Sequence, residues 1–188
     1  MDEPRQIHTR LIFGLSGREE LRFVDIRKFG GVYYLAYGGG IPRGLAELGP
    51  EPLERGFTTG VLADLLQGRR GPLKGVLLDQ RSLAGIGNIY ADEVLHRAGL
   101  SPLRPAGSLD GTETERLHSA IRTVLTEGID HRGTSVRNYV DGDGRPGEFQ
   151  DRLRVYGQAG RACASCGGII IRVVVSGRGT QYCPACQK

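Results

Sequence analysis

The sequence predicts an α+β chain: strands at the start, helices in the middle and a cysteine-bearing hairpin at the end. Three observations predict it. Apolar residues alternate between residues 9 and 24, they recur at helical spacing from about residue 53 onward, and all four cysteines lie beyond residue 162. The length of 188 residues suits one medium domain or two small ones. An apolar fraction of 39% and a charged fraction of 24% are globular values, and they argue against a collagen-like or wholly disordered chain. The longest apolar runs, such as Ile169–Ile171 and Val173–Val175, are too short to span a bilayer. Residues 1–10 lack the apolar stretch of a secretory signal. The expectation is a cytoplasmic protein with no membrane partner.

The elements follow in order. Leu11, Phe13 and Leu15 alternate, Ser16-Gly17 turns the chain, and Leu21 and Phe23 resume the alternation. A third apolar run, Val32–Tyr37, predicts a third strand. Three strands do not close a sandwich, so residues 1–45 read as the remnant of a larger β domain. Gly38-Gly39-Gly40 and Pro42 mark a linker. Val61, Leu62, Leu65 and Leu66 then make a helical face, with Thr58 or Thr59 as cap and Gly68 as stop. Pro72 opens a short helix carrying Leu73, Val76 and Leu77. Asn88 is the expected N-cap of a helix that buries Ala91, Val94, Leu95 and Ala98 and stops at Gly99. A capping box at Thr112 and Glu115 predicts the start of a fourth helix, which buries Leu117, Ile121, Val124 and Leu125. Residues 131–150 are polar, glycine-rich and aperiodic, and read as a long loop. The predicted divisions are 1–45, 46–150 and 151–188.

Charge is unevenly placed. The chain has 22 Arg, 3 Lys and 30 Gly, a bias that a GC-rich genome produces as readily as a nucleic-acid binder does. Residues 1–128 are neutral overall, so the formal +4 resides in residues 129–188. Residues 152–188 carry six basic side chains and no side-chain carboxylate, which suits a phosphate backbone.

Four clusters can carry chemistry. Cys163-x₂-Cys166 and Cys183-x₂-Cys186 have the spacing of a Cys₄ zinc site, each tight turn aiming two sulfurs inward. Two disulfides are the alternative, disfavoured without a secretory signal. A closed Cys₄ site is structural and would hold a hairpin with Arg178 near its tip; a solvated turn residue is the simpler reading of that arginine. Gly85-Ile86-Gly87-Asn88 at a helix start offers unpaired N–H groups to an anion, or is simply a capped helix. Arg69, Arg70 and Lys74 crowd the start of another helix, where cations are locally unfavourable unless something negative compensates. Arg27 and Phe29 share one side of a strand and read either as a surface Arg beside a core Phe or as a wedge for a base stack.

Taken together, these segments resemble the formamidopyrimidine-DNA glycosylase / endonuclease VIII family of base-excision repair enzymes. The match runs through His8, Asp25–Gly30, Lys74–Gln80, Gly85–Glu93, Gly133–Ser135, Asp143–Gly147, Val155–Gly157, the cysteines and Gly177–Thr180, in family order. The resemblance implies a partial N-terminal β-sandwich, a helix–two-turn–helix domain with a lesion-capping loop at 133–149, and a C-terminal zinc finger holding one structural Zn²⁺. It implies that Asn88 and Lys74 grip phosphate, that Arg69 and His8 contact DNA, and that Arg27 with Phe29 fills the void left by a flipped base. Arg178 matches an arginine with an assigned proton-donor role in the second elimination step. A guanidinium is a poor acid at neutral pH, so a phosphate clamp is the better physical role. The implied partner is duplex DNA with a damaged base or an abasic site, bound at the nucleoid.

The resemblance breaks at the start. Family members begin with Pro-Glu after loss of Met, and that proline amine attacks the sugar; this chain begins Met1-Asp2-Glu3-Pro4. The family's sandwich lysine and intercalating methionine have no counterpart. Three readings stand: a DNA-binding portion without base excision, a lyase using the Met1 amine or Lys74, and a non-enzymatic zinc ribbon for RNA or protein. Exposed half-sandwich edges favour self-association.

Overall fold

The computed structural model describes residues 4–17, 19–135, 140 and 145–188. It divides into two compact units, Met1–Ala46 and Glu47–Lys188.

The first unit is built on one hairpin. Strands β1 (Thr9–Gly14) and β2 (Glu20–Val24) pair antiparallel, with Leu11 opposite Phe23 and Phe13 opposite Leu21. A short helix, α1 (Arg43–Ala46), ends the unit. The third strand expected at Val32–Tyr37 is absent: the ladder is confined to β1 and β2, and a lone apolar run has no backbone partner to make it a strand. β2 stops at Val24, so Arg27 and Phe29 sit on the loop that follows rather than on a strand. That loop closes on the Asp25 carboxylate, which accepts from the backbone N–H groups of Arg27, Lys28 and Gly30. The Gly30 bond, ahead of the opposing cost of desolvation, helps hold the Asp25 carboxyl below its ordinary range.

The second unit has a continuous core. Helices α2 (Thr59–Leu66), α3 (Leu73–Leu78), α4 (Asn88–Ala98) and α5 (Gly111–Asp130) bury Leu62, Leu73, Leu77, Leu95, Leu117 and Ile121. Thr58 caps α2 through its side chain, and Pro72 precedes α3. Two expected caps shift. The N-cap of α4 is Gly87, and Asn88 is the first helical residue, its amide drawn to another element. The box that starts α5 is Asp110 with Glu113, two residues before the expected pair; Arg104 also grips Glu113 at 2.5 and 2.6 Å. Gly99 ends α4 in the left-handed conformation (φ 68°), where a side chain would be strained.

Beyond α5 the chain makes a single helical turn at Phe149–Arg152 and then the hairpin β3 (Ile171–Val175) and β4 (Arg178–Tyr182). Of the expected lesion-capping loop, residues 136–139 and 141–144 lie outside the described residues. Its base is clamped: Gln150 accepts from the Ser135 N–H and donates to the Gly147 carbonyl, and Gly147 N–H donates to Ser135 Oγ. Among the described residues no helix is long and apolar enough to cross a membrane.

Candidate nucleic-acid interface and metal centre

The cysteines come together as their spacing requires. All four Sγ atoms lie within 4.8 Å of one another. Cys163 and Cys186 stand 3.8 Å apart, and Cys166 and Cys183 3.5 Å, too far for S–S bonds. A tetrahedron with Zn–S bonds near 2.3 Å has edges of about 3.8 Å. Crowding also argues for a cation. Hydrogen bonding with Cys166, then burial and the remaining thiols, pushes Cys186 up to about 12, whereas the metal-binding form is the thiolate. Burial alone would raise Cys163; His96 and the N–H groups of Ser165 and Cys166 outweigh it and bring it to about 6. The four thiolates fit one structural Zn²⁺ with no open position.

Helix α4 is the strut on which the hairpin rests. Asn88, Asp92 and His96 recur every four residues and so share one face. Asn88 Nδ2 donates to Gly179 O (3.0 Å), Asp92 Oδ2 accepts from Gln181 N–H (2.9 Å), and His96 Nε2 lies 3.4 Å from Cys163 Sγ. Beside them Glu93 accepts from three successive N–H groups, those of Arg154, Val155 and Tyr156, at 2.8, 3.0 and 2.8 Å. The chain end is tied to the same helix, with Lys188 N–H on Gly99 O and Gln187 Nε2 on Leu100 O.

One cleft results. Gly87 and Asn88 at the start of α4 face Ser176 and Arg178 at the tip of the hairpin, around a cavity of about 470 Å³. Gly87 caps α4 without a side chain, so the first N–H groups of the helix have no capping oxygen. Arg178 is exposed, and its guanidinium has no hydrogen bond or ion pair among the described residues. Asn88 has a second amide hydrogen beyond the one given to Gly179, and its buried Oδ1 has no partner among the described residues. Asp79 also lines the cleft, but its carboxylate is taken up by Ser82 Oγ (2.7 Å) and Arg81 N–H. The Ser82 bond leads the effects that keep it below its ordinary pKa. Donors and a helix start therefore converge on space that admits a phosphate group.

The other expected contacts are placed separately. Arg69 is exposed, and its guanidinium rests on Ser82 Oγ at 3.3 Å. In the first unit His8 is half-buried, and the Arg27 guanidinium lies 5.8 Å over the ring of Phe29, which is 86% exposed. Lys74 differs most from expectation. It is wholly buried, 2.6 Å from Asp92 Oδ1, and its ammonium also donates to Thr180 Oγ1 (2.8 Å) and Gly179 O (3.3 Å). Its charge is paired with Asp92 and it donates two hydrogen bonds to the hairpin, so it offers neither a free cation to phosphate nor a free amine to a sugar. Burial, ahead of the opposing pull of Asp92, lowers its pKa. The other candidate amine, at Met1, lies outside the described residues.

Sequence reasoning missed Asp92, Glu93, His96 and Gln181. For Asp92 and His96 the available signal was the four-residue polar period Asn88-Asp92-His96 along one helix.

Comparison with known proteins decides the family. Residues 48–140 match the formamidopyrimidine-DNA glycosylase H2TH domain, and residues 160–188 match the zinc finger found in FPG and IleRS. The chain is 50% identical over 188 residues to the formamidopyrimidine-DNA glycosylase of Heliobacterium modesticaldum, covering all of this chain and 68% of that protein. The chain belongs to the formamidopyrimidine-DNA glycosylase family. The Moorella thermoacetica enzyme of this family is 53% identical over 172 residues, which are 90% of this chain and 62% of that one. The family's MutM (Fpg) from Thermus thermophilus superposes with a TM-score of 0.85 at 46% identity, over 98% of this chain and 70% of that one. Lactococcus lactis Fpg, in a complex with DNA containing an abasic site, gives a TM-score of 0.90 at 35% identity, over 100% and 69%. The chain thus spans about two thirds of its relatives' length. The four cysteines fall inside the matched zinc finger, in keeping with the sulfur geometry.

Proposed function

We propose that this chain is the DNA-gripping portion of a base-excision glycosylase/AP lyase and binds duplex DNA at a damaged base or abasic site. One observation carries the reading: the unpaired Arg178, the start of α4 and Asn88 converge on a single cleft in a family with members solved on such DNA. The phosphate beside the lesion sits in that cleft. It accepts from Asn88 Nδ2 and the first N–H groups of α4, and Arg178 supplies the charge. Arg178 acts as a clamp, since a guanidinium does not give up its proton near neutral pH. Arg69 and His8 add further DNA contacts, and Arg27 with Phe29 forms the wedge that replaces an extruded base. The zinc finger supplies no reacting group; it keeps the hairpin, and so Arg178, in shape. Such a protein works at the nucleoid, in the cytoplasm.

The test is binding to a duplex with a single abasic site, titrated with salt, with borohydride added to parallel samples. Affinity is expected to fall steeply with salt, and Asn88→Ala is expected to weaken binding to all sequences alike. Affinity indifferent to salt and to Asn88→Ala would overturn the reading. A covalent adduct would add lyase chemistry from an amine of this chain; a shift without an adduct would mark a binding portion.

A further inference from the structure

The Lys74–Asp92 pair is the most enclosed ion pair among the described residues: both side chains are 0% exposed. Taking two charges out of water costs several kcal/mol per ion, and apolar replacements of such pairs are often as stable or more so. Stability is therefore a weak reason for this pair. Its contacts supply another. Lys74 reaches Gly179 O and Thr180 Oγ1, while Asp92 takes the Gln181 N–H. Three consecutive residues of β4 are thereby fixed to α3 and α4, and the residue immediately before them is Arg178. The same hairpin is seated from a second side. A Cβ on Gly75 would lie 2.6 Å from Ser176 Oγ and 3.6 Å from its Cβ, so the tip packs closely against α3 here and leaves no room for a bulky side chain at residue 75.

We propose that Lys74, Asp92 and Gly75 are positioning residues that hold the β3–β4 tip against α4, so that Arg178 and Asn88 meet the same phosphate. The inference deepens the phosphate-cleft reading and rests on it. Lys74 acts through Arg178 and touches no DNA. Its charge is balanced by Asp92, and its donors are spent on the hairpin. Asp92 acts as the counter-charge and as the acceptor that sets the register of β4.

A double-mutant cycle tests this. The apolar pair Lys74→Met with Asp92→Leu is expected to keep bound zinc and an unchanged or higher thermal midpoint. It is expected to lose about tenfold in affinity for abasic duplex DNA. On an Arg178→Ala background the same pair is expected to cost less than about twofold, because the group it positions is gone. Equal losses on both backgrounds, or no loss on either, would overturn the proposal. Gly75→Leu leaves every charge in place and pushes a bulky side chain against the tip; it is expected to give the same non-additivity, and it decides the matter if the apolar pair does not fold. Failure of the cleft reading looks different, since wild-type binding would then be indifferent to salt and to Arg178→Ala.

Discussion

The two units handle apolar surface in opposite ways. In Met1–Ala46, Ile7, Tyr33, Tyr34 and Phe29 stand largely exposed, and one two-stranded ladder supplies the regular backbone bonding. A hairpin of that kind is marginal on its own. In Glu47–Lys188, the helices share one apolar core, and buried charges stitch the zinc hairpin to α4. The difference teaches where precision is kept: the cleft lies on the unit whose buried charges are paired across elements, so the strand and helix that carry its donors are held before any ligand arrives.

The largest expected effect tests whether that rigidity depends on metal. Chelation, or Cys163→Ser, should remove zinc, unfold the β3–β4 hairpin and abolish DNA binding, since metal binding supplies on the order of 10 kcal/mol in such sites. Metal content, circular dichroism and a binding titration on the same samples would read it; full affinity without zinc would break the contrast between the units. Next is Glu93→Ala, which leaves three N–H donors unanswered, one of them fully buried. It should cost about 3 kcal/mol or more of stability in denaturant unfolding, with Glu93→Gln intermediate. A loss below about 1 kcal/mol would mean that water replaces the carboxylate.

A smaller effect should appear with pH. Desolvation, ahead of the opposing pull of Lys74, raises Asp92 from 3.8 to about 6. The groups facing it are Lys74 from α3, the Gln181 N–H on the Arg178-bearing strand β4, and Glu93 beside it on α4. A raised carboxylate binds its proton more tightly when folded, so its contribution to stability is present below 3.8 and lost as pH rises toward about 6. Relative to Asp92→Asn, wild type should therefore lose stability over that window, whereas its relative DNA affinity should rise as the Lys74 pair forms. Parallel movement of the two would contradict the positioning role. The smallest effect belongs to the first unit. Arg27→Ala removes one exposed cation–π contact and should shift the thermal midpoint by no more than about 0.5–1 kcal/mol allows. Hydrogen exchange should show β1 and β2 amides opening far more readily than those of α4.

Much of this was legible in residue order. The Cys-x₂-Cys pairs foretold the sulfur cluster, because two residues between ligands make a turn that any surrounding fold can carry. Gly99 and Pro72 marked helix ends because their backbone preferences are local. Apolar period gave α4 and α5 their buried faces. The capping box was displaced because two Asx/Thr-x-x-Glu patterns lie two residues apart, and the Arg104 contact favours the first. The run Val32–Tyr37 misled because strand-forming residues make a strand only beside another.

What the sequence determined by itself was therefore whatever depends on near neighbours: helix stops, the turn at Ser16-Gly17, the metal ligands and the presence of Asn88 at a helix start. The tertiary structure alone decided the roles of Lys74 and Asp92. Their partners on β4 lie 106 and 89 residues away, and whether a charge grips a ligand or is buried depends on which distant strand closes over it. A lysine in a basic stretch looks the same in either case until its counter-ion and the strand that covers it are known.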